Sequence, residues 1–195
     1  MRFEYSATEE RATDAELIAA VVGGNKAAFA GIVRRYEEVV ARTVIGMLGA
    51  GDAAEEAGQV AMIKIYNGLG DFRADASLKT YVTRIAMNTA LDELRRRKRF
   101  LARFVSPSRE RESDVFEQIP AHGDVASAHE RQQLVAAALA ALKPEFRSVA
   151  VLRLLHGYDS GEVASILGIS DGTVFSRLSR ARSQLKMLLR SEDFK

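Results

Sequence analysis

Small polar, basic and aromatic side chains recur along residues 173–182, near the end of the chain. An arginine guanidinium can pair with two acceptors on guanine, a serine hydroxyl can serve several bases, and a phenylalanine ring can press on a thymine methyl group. The chemistry that these side chains allow is hydrogen bonding to base edges rather than bond making. The candidates for contact with paired bases are Thr173, Phe175, Ser176, Arg177, Ser179, Arg180 and Arg182.

The stretch around these residues, EVASILGISDGTVFSRLSRARSQL at residues 162–185, has the pattern of a helix-turn-helix. Gly168 permits the tight turn, and Ile169 after it can plug the core. The residues predicted to face inward are Val163, Ala164 and Leu167 on the first helix and Val174, Leu178, Ala181 and Leu185 on the second. The outer face of the second helix is then free to enter a major groove. The alternative is an arginine-rich helical hairpin that binds nothing.

A second set of side chains suited to nucleic acid lies near the middle of the chain. Five consecutive bases, Arg95 to Arg99, cannot share one helix face, which favours a helix end that grips phosphates over a row of salt bridges. Upstream lie aromatic, basic and amide side chains that can stack on and hydrogen-bond to unpaired bases: Phe72, Arg73, Tyr81, Arg84 and Asn88. The alternative interpretation of the upstream set is that its aromatic side chains belong to the core and that its polar side chains are ordinary surface groups.

Motifs for catalysis or metal binding are not found in the sequence. It has no cysteine and no phosphate-binding glycine loop, HExxH, GxSxG or EF-hand spacing. The three histidines, His122, His129 and His156, are scattered, and we expect them on the surface or in a linker. Ser183 and Lys186 match SxxK by chance, within a predicted DNA-reading helix. We therefore expect no enzyme activity, no cofactor and no metal.

The elements that position these side chains are predicted to be helices throughout. Apolar residues recur at spacings of three and four, and the 195 residues include only three prolines. Thr13 with Glu16, and Asp159 with Glu162, form capping boxes, and Asn25, Ser127 and Ser170 are further expected caps. The third predicted helix carries Val60, Ile63 and Tyr66 on one face. The helices are predicted at about 13–22, 25–48, 52–69, 77–99, 127–142, 144–156, 159–168 and 170–190.

Length and charge indicate two domains that meet a polyanion. Periodicity fades between residues 100 and 126, where serine, proline and mixed charges appear, so we expect an all-α protein of two small domains joined by a flexible linker. The net charge is +2, but residues 1–60 hold ten acids against six bases, so the excess of bases lies further along.

The sequence shows no secretory signal and no stretch of about 18 apolar residues, which predicts a cytoplasmic protein without a membrane span.

Taken together, these residues resemble an extracytoplasmic-function (group IV) sigma factor of bacterial RNA polymerase. The strongest stretches are DFRADASLKTYVTRIAMNTALDELRRRKR and ALKPEFRSVAVLRLLHGYDSGEVASILGISDGTVFSRLSRARSQL. The resemblance implies an N-terminal tail at 1–13, sigma region 2 at 14–100, a linker at 101–126 and sigma region 4 at 127–190. Region 4 would bind the promoter element near −35 through the outer face already described.

The resemblance also implies roles for residues in the front half. The loop with Phe72, Arg73, Asp75 and Ser77 would line a pocket for a flipped base of the −10 element. Asn88 falls at a base-contacting position, and Tyr81, Arg84 and Arg95 to Arg97 belong to the same expected surface. Glu55, Glu56 and Gln59 would dock on the clamp helices of the largest polymerase subunit.

Further partners implied by the resemblance are the flap of the second-largest polymerase subunit, promoter DNA and an anti-sigma factor. Four positions depart from the family pattern: Tyr81 for Trp, Gly58 and Val60 in the clamp-docking stretch, and Phe175 for Lys or Arg. We expect Phe175 to weaken the electrostatic grip and to favour thymine. A stand-alone helix-turn-helix regulator with a helical sensor domain is the alternative function, and a protein-binding adaptor is a third.

Overall fold

The computed structural model describes residues 12–73, 75–104 and 128–190, and the regular structure in those ranges is entirely helical. The predicted tail and linker, and the predicted cap at Ser127, lie outside the described residues, as does His122. The eight α-helices of the described ranges are α1 (Asp14–Val22), α2 (Phe29–Leu48), α3 (Asp52–Gly68), α4 (Leu78–Phe104), α5 (Ala128–Ala141), α6 (Pro144–Ala150), α7 (Ser160–Leu167) and α8 (Asp171–Arg190).

Local capping signals placed most helix ends correctly. Both capping boxes are formed, at Thr13 with Glu16 and at Asp159 with Glu162. Gly168 ends α7 in the left-handed conformation, with φ of 65°, which an L side chain adopts only with strain. The prediction that Asn25 caps a long helix is wrong. Its side chain makes no capping hydrogen bond, and a 3-10 turn at Lys26–Ala28 precedes α2.

The four helices α1 to α4 form a front bundle around α2. Ile32, Val44 and Met47 of α2 are buried among Val82 and neighbouring residues of α4. The predicted apolar face of α3 is not its buried face, because Val60 and Ile63 are 37% and 60% exposed. Helix α3 instead buries a stripe of mostly small side chains, which allows it to lie close to α2 and α4: Ala54, Ala57, Ala61 and Ile65.

Helix α4 runs to Phe104, five residues beyond its predicted end at Arg99. The first residues assigned to the linker, LARF at positions 101–104, contain no glycine or proline that would stop a helix. Phe100 and Leu101 remain 61% and 59% exposed, and they line an open cleft beside Asp52 and Ala53 at the start of α3.

The four helices α5 to α8 form a rear bundle. Helix α6 continues into a π-helical turn at Val151–Leu155, and the helix-turn-helix of α7 and α8 packs against it. Val149, Leu152, Val163, Val174 and Leu178 are buried between these elements, as the inward-facing pattern predicted for α7 and α8.

The two bundles also pack against each other, which the sequence did not predict. One continuous apolar core holds Ile32 and Met47 from the front and Val151 and Leu152 from the rear. Across the contact, the Thr83 and Tyr158 hydroxyl oxygens lie 2.7 Å apart and share a buried hydrogen bond. His156 lies there as well, with its Nε2 3.0 Å from Thr43 Oγ1, so the expectation of a surface or linker histidine is wrong.

His156 should make the fold sensitive to acid. Burial, and then the positive charges of Arg42 and Lys79, lower the pKa of His156 to about 4 from its ordinary 6.5. The folded protein therefore binds this proton less readily than the unfolded chain, so the contribution to stability is complete above pH 6.5 and is lost as the pH falls toward 4. After solvent screening we expect a loss of about 1 kcal/mol between pH 6.5 and pH 5.

Urea unfolding at pH 7.5 and at pH 5.0 measures this loss. In the His156→Gln variant, an amide replaces the ring and cannot titrate, so the variant should lose less stability between the two pH values. Equal losses in both proteins would show that other groups set the acid sensitivity.

Candidate nucleic-acid and protein interfaces

The outer face of α8 is open to solvent as the sequence predicted. Ser170 Oγ accepts a hydrogen bond from the Thr173 amide at 3.3 Å and so begins the helix. Phe175 is 60% exposed, an unusual position for an aromatic ring in a soluble protein. Ser176, Ser179, Arg180 and Arg182 are also exposed, and Thr173 and Arg177 are half-buried.

Two of the α8 arginines lie beside residues of other helices. The Arg180 guanidinium lies 5.9 Å from the centre of the Phe146 ring, in a cation–π contact with α6. Arg177 lines a cleft of about 350 Å³ together with Leu94, Arg95 and Lys98 of α4. The cleft therefore brings one predicted −35 residue beside the basic run predicted for the −10 region.

The loop before α4 holds an aromatic pair. The rings of Phe72 and Tyr81 meet edge to face with centroids 5.1 Å apart, and both residues are half-buried. Burial, and then the charge of Asp71, raise the pKa of Tyr81. Arg73 and Asp75 are exposed beside this pair. Ser77 caps α4, because its Oγ accepts a hydrogen bond from the Thr80 amide at 3.1 Å.

Asn88 and Arg84 lie one turn apart on α4 but differ in their surroundings. Asn88 is exposed. Arg84 donates from Nη2 to Ser165 Oγ of α7 at 3.2 Å, and its Nε is buried without a hydrogen-bond partner among the described residues. Of this predicted pair, only Asn88 is open to a ligand in the present arrangement.

The basic run on α4 contains salt bridges, although its sequence favoured a phosphate-gripping helix end over a row of them. Arg95 Nη1 lies 2.8 Å from Asp92 Oδ1, and Arg96 and Arg97 lie 2.7 Å and 2.9 Å from the Glu93 carboxylate. The hydrogen bond from Arg96, followed by that from Arg97, lowers the pKa of Glu93. The acids one turn earlier, at i−3 and i−4, explain the difference. The stretch DELRRRKR still carries five bases against two acids.

An apolar groove of about 630 Å³ runs between α2 and α3. Its lining includes Val33, Val40, Val44, Ile45, Met62 and Ile63, with Glu37, Glu55 and Gln59 among the polar residues. Gly58 lies in the groove, and its lack of a side chain leaves the groove wide. A Cβ at this position would meet Val44 Cγ2 at 3.9 Å, which is an ordinary contact distance. Ile45 and Ile63, at 41% and 60% exposure, were missed by sequence reasoning. Ile45 falls outside the apolar spacing of its helix, which was a usable signal, but Ile63 belonged to the predicted apolar face of α3, so no sequence signal indicated that it would be exposed.

Glu56 does not belong to this groove. It lies on another side of α3, 4.0 Å from Arg96 on α4, where both residues line a separate cleft of about 430 Å³ with Lys64 and Thr89. Glu55 and Gln59 are thus placed together at the groove, while Glu56 is associated with the basic run.

The described residues contain no group of three or more His, Asp or Glu side chains that could hold a metal ion. Among the helices of the described ranges, none is long and apolar enough to cross a bilayer.

Family models of known proteins match both bundles. The Sigma-70 region 2 model matches residues 32–100, and the Sigma-70 region 4 model matches residues 132–185. The ECF RNA polymerase sigma factor SigM of Mycobacterium tuberculosis is 35% identical over 177 residues, which cover 91% of this chain and 85% of that protein. The ECF RNA polymerase sigma-E factor of Escherichia coli is 31% identical over 180 residues, with coverage of 90% and 94%.

Solved structures with the same arrangement of helices include CnrH in complex with the cytosolic domain of CnrY. That chain has a TM-score of 0.65 and 25% identity, and the match covers 91% of this chain and 97% of CnrH. The sigma factor RpoE of Bartonella quintana, in complex with the anti-sigma factor NepR, has a TM-score of 0.66 and 25% identity, with coverage of 83% and 96%. The order of the two matched regions and the near full-length similarity lead to one assignment. The chain belongs to the extracytoplasmic-function family of RNA polymerase sigma factors.

Proposed function

We propose that this chain is a dissociable initiation factor that binds core RNA polymerase, directs it to one class of promoter and helps to open the DNA. The observation that carries the proposal is the presence, in one chain, of an exposed basic recognition helix and an apolar groove on a separate bundle. The polymerase supplies the catalysis, and this chain supplies selection. A stand-alone helix-turn-helix regulator is not favoured, because the relatives similar along most of the chain are sigma factors.

In this proposal, α8 reads the −35 element as a duplex. The exposed residues of its N-terminal half reach the base edges, as in other recognition helices. The groove between α2 and α3 receives the clamp helices of the largest subunit, with Ile63 and Met62 as apolar anchors and Glu55 and Gln59 at polar positions.

The proposed −10 site is the aromatic pair of Phe72 and Tyr81 with its exposed neighbours. A base that leaves the duplex loses stacking worth a few kcal/mol, which an aromatic pocket can offset. Arg73, Asp75 and Asn88 are exposed and would provide hydrogen-bonding groups for the base. The basic run of α4 supports this site by contacts with phosphates.

We also include an anti-sigma protein among the partners. The RpoE structure that this chain matches was solved with the anti-sigma factor NepR, and the match covers both bundles. A partner of that class would compete with polymerase if it covered the groove between α2 and α3.

Co-elution with purified core polymerase and run-off transcription from a cognate promoter test the proposed function. A sigma factor should co-elute and support specific transcripts, whereas a stand-alone regulator should shift promoter DNA without polymerase. Failure to bind core enzyme at low salt would overturn the proposal.

Gly68→Ala should impair promoter opening without loss of polymerase binding. A Cβ at position 68 would overlap the Tyr81 hydroxyl oxygen, so the tyrosine ring must shift from its present contact with Phe72. We expect about a tenfold lower yield of open complex, equivalent to about 1.4 kcal/mol, measured by permanganate reactivity of unpaired thymines. Adding Tyr81→Phe removes the clashing oxygen and should restore opening. A double variant as defective as Gly68→Ala would contradict this geometry.

Phe175→Arg should change the preference of α8 for its duplex. The exposed ring can press on a thymine methyl group, whereas a guanidinium pairs with guanine, and a good contact is worth about 1–3 kcal/mol of discrimination. Binding to a panel of −35 duplexes that differ at one base pair measures the change. An unchanged order of preference would place Phe175 away from the bases.

A further inference from the structure

We propose that the cleft between α4 and the rear bundle binds a small phosphorylated molecule with a flat apolar part, the chemical class of a nucleotide. The cleft has a volume of about 350 Å³, within the range of about 300–1,000 Å³ that is usual for small-molecule sites. The lining residues that carry the proposal are Leu91, Leu94, Arg95 and Lys98 of α4, Leu167 of α7 and Arg177 of α8. We call this the interbundle cleft. The binding is a statement about the chain alone, and only its effect on DNA binding rests on the proposed function.

Basic side chains from both bundles converge on the interbundle cleft. Arg95 and Lys98 come from α4 and Arg177 from α8, and Glu145 of α6 is the acid among the described residues of the lining. Arg95 already lies 2.8 Å from Asp92. Within the described ranges, Lys98 and Arg177 make no hydrogen bond or ion pair. An anion bound between these two side chains would supply the partner that both lack, and a cleft with apolar walls concentrates their field.

Leucine side chains form an apolar wall beside these cations. Leu91, Leu94 and Leu167 are each half-buried and pack against the main core, which holds the wall in place. Contacts with DNA phosphates alone do not explain this wall, because a phosphate group gains nothing from apolar surface. A ligand with a flat apolar part gains free energy from the leucines and from the cations together.

A buried hydroxyl adds a polar group that can orient such a ligand. Ser148 of α6 lines the interbundle cleft and is 2% exposed. Its Oγ donates to the Glu145 carbonyl at 3.3 Å, which is long for a hydrogen bond from a hydroxyl. The hydroxyl retains its acceptor lone pairs and can rotate, so it can serve a base or sugar group of the ligand.

Occupancy of the interbundle cleft should compete with promoter DNA. Arg95 belongs to the proposed −10 surface and Arg177 to the proposed −35 surface, so a phosphorylated ligand bound between them takes up groups that would otherwise contact DNA. The ligand would thereby make promoter binding respond to the concentration of a small metabolite.

Equilibrium dialysis of the full chain against the four common ribonucleoside triphosphates, each at up to millimolar concentration, tests the site. At least one of them should bind saturably with one equivalent per chain. Tripolyphosphate has the phosphate groups without the apolar part, and we expect it to bind about tenfold more weakly than the best nucleotide.

Variants on the two bundles locate the binding. Lys98→Ala and Arg177→Ala should each weaken nucleotide binding by about fivefold, the loss expected for one charge-assisted contact. Arg99→Ala and Lys186→Ala are the matched controls, because these neighbouring bases of α4 and α8 are exposed and do not line the cleft. Each control should stay within about twofold of the natural chain. Urea unfolding verifies that all four variants are folded.

The results that would overturn the site are distinct from those that bear on its class of ligand. Absence of saturable binding, or equal losses from Lys98→Ala and Arg99→Ala, would overturn the site, because only a general attraction to basic surface would remain. Tripolyphosphate that binds as tightly as every nucleotide would overturn the assignment of a ligand with an apolar part.

Displacement of a labelled −35 duplex from the free full chain tests the competition. The nucleotide that binds best should release the duplex from the natural chain at a concentration about fivefold lower than from Lys98→Ala, which has lost part of the nucleotide site. Equal concentrations would overturn competition through the cleft. If a nucleotide binds with the expected variant effects but the chain does not bind core polymerase, the site stands and the proposed function fails.

Discussion

Ile63→Arg should weaken binding to core RNA polymerase by about 100-fold, close to the 2.7 kcal/mol expected when an apolar anchor of an interface is lost. Ile63 is 60% exposed on α3 and lines the groove between α2 and α3, so its replacement places a charge in an apolar site without disturbing the bundle core. Competition against a labelled sigma factor for purified core enzyme measures the change.

Two control variants test whether the effect of Ile63→Arg is specific to the groove. Val22→Arg introduces the same side chain at an apolar residue of α1 that is 59% exposed, and it should leave the affinity within threefold of the natural chain. Glu56→Ala should also have a small effect, since Glu56 lies beside Arg96 rather than in the groove. Equal losses from Ile63→Arg and Glu56→Ala would place the polymerase contact elsewhere on α3.

Replacing Arg95, Arg96 and Arg97 together with alanine should weaken the promoter complex and flatten its dependence on salt. Each phosphate contact that is lost lowers the log–log slope by about 0.7–0.9, so the slope should fall by about 2 to 3. The three side chains are 69%, 64% and 47% exposed and alanine favours helix, so α4 should remain folded. Filter binding of holoenzyme to promoter DNA between 50 and 200 mM salt gives the slope.

The salt bridges of the basic run suggest a variant that should have the opposite effect on DNA binding. Arg96 and Arg97 both contact Glu93, whose side chain is 14% exposed, so in the free chain part of their charge is already neutralised. Glu93→Gln removes that neutralisation and should tighten DNA binding at low salt. A triple alanine variant with weaker binding but an unchanged salt slope would mean that these arginines support the fold of the site and do not contact phosphates.

The helices and the recognition surface of α8 could be predicted from sequence because their signals are local. A capping box such as Thr13 with Glu16 satisfies amides within one turn, and Gly168 can adopt a left-handed conformation wherever the rest of the chain lies. The inward positions of α8, Val174, Leu178 and Ala181, follow from helical spacing alone. The exposure of Phe175 follows as the complement of that stripe.

Features that depend on which surfaces meet could not be predicted in this way. Helical spacing identifies the apolar residues of α3 but not which of its faces finds a partner, and the alanine stripe through Ala57 and Ala61 was buried in place of Val60 and Ile63. The apolar groove exists because the large side chains that α3 leaves outside the core line the surface between α2 and α3.

Sequence by itself determined that this chain folds as helical bundles and that the rear one carries a helix-turn-helix with an exposed basic outer face, because caps, turns and periodicity act within a few residues of one another. Only the tertiary structure decided that His156 lies half-buried beside Thr43, that Arg147 reaches the Met47 carbonyl, and that the two bundles pack against each other. Those contacts join residues about 100 positions apart, and their free energy depends on the fit of two complete surfaces, which no local pattern encodes.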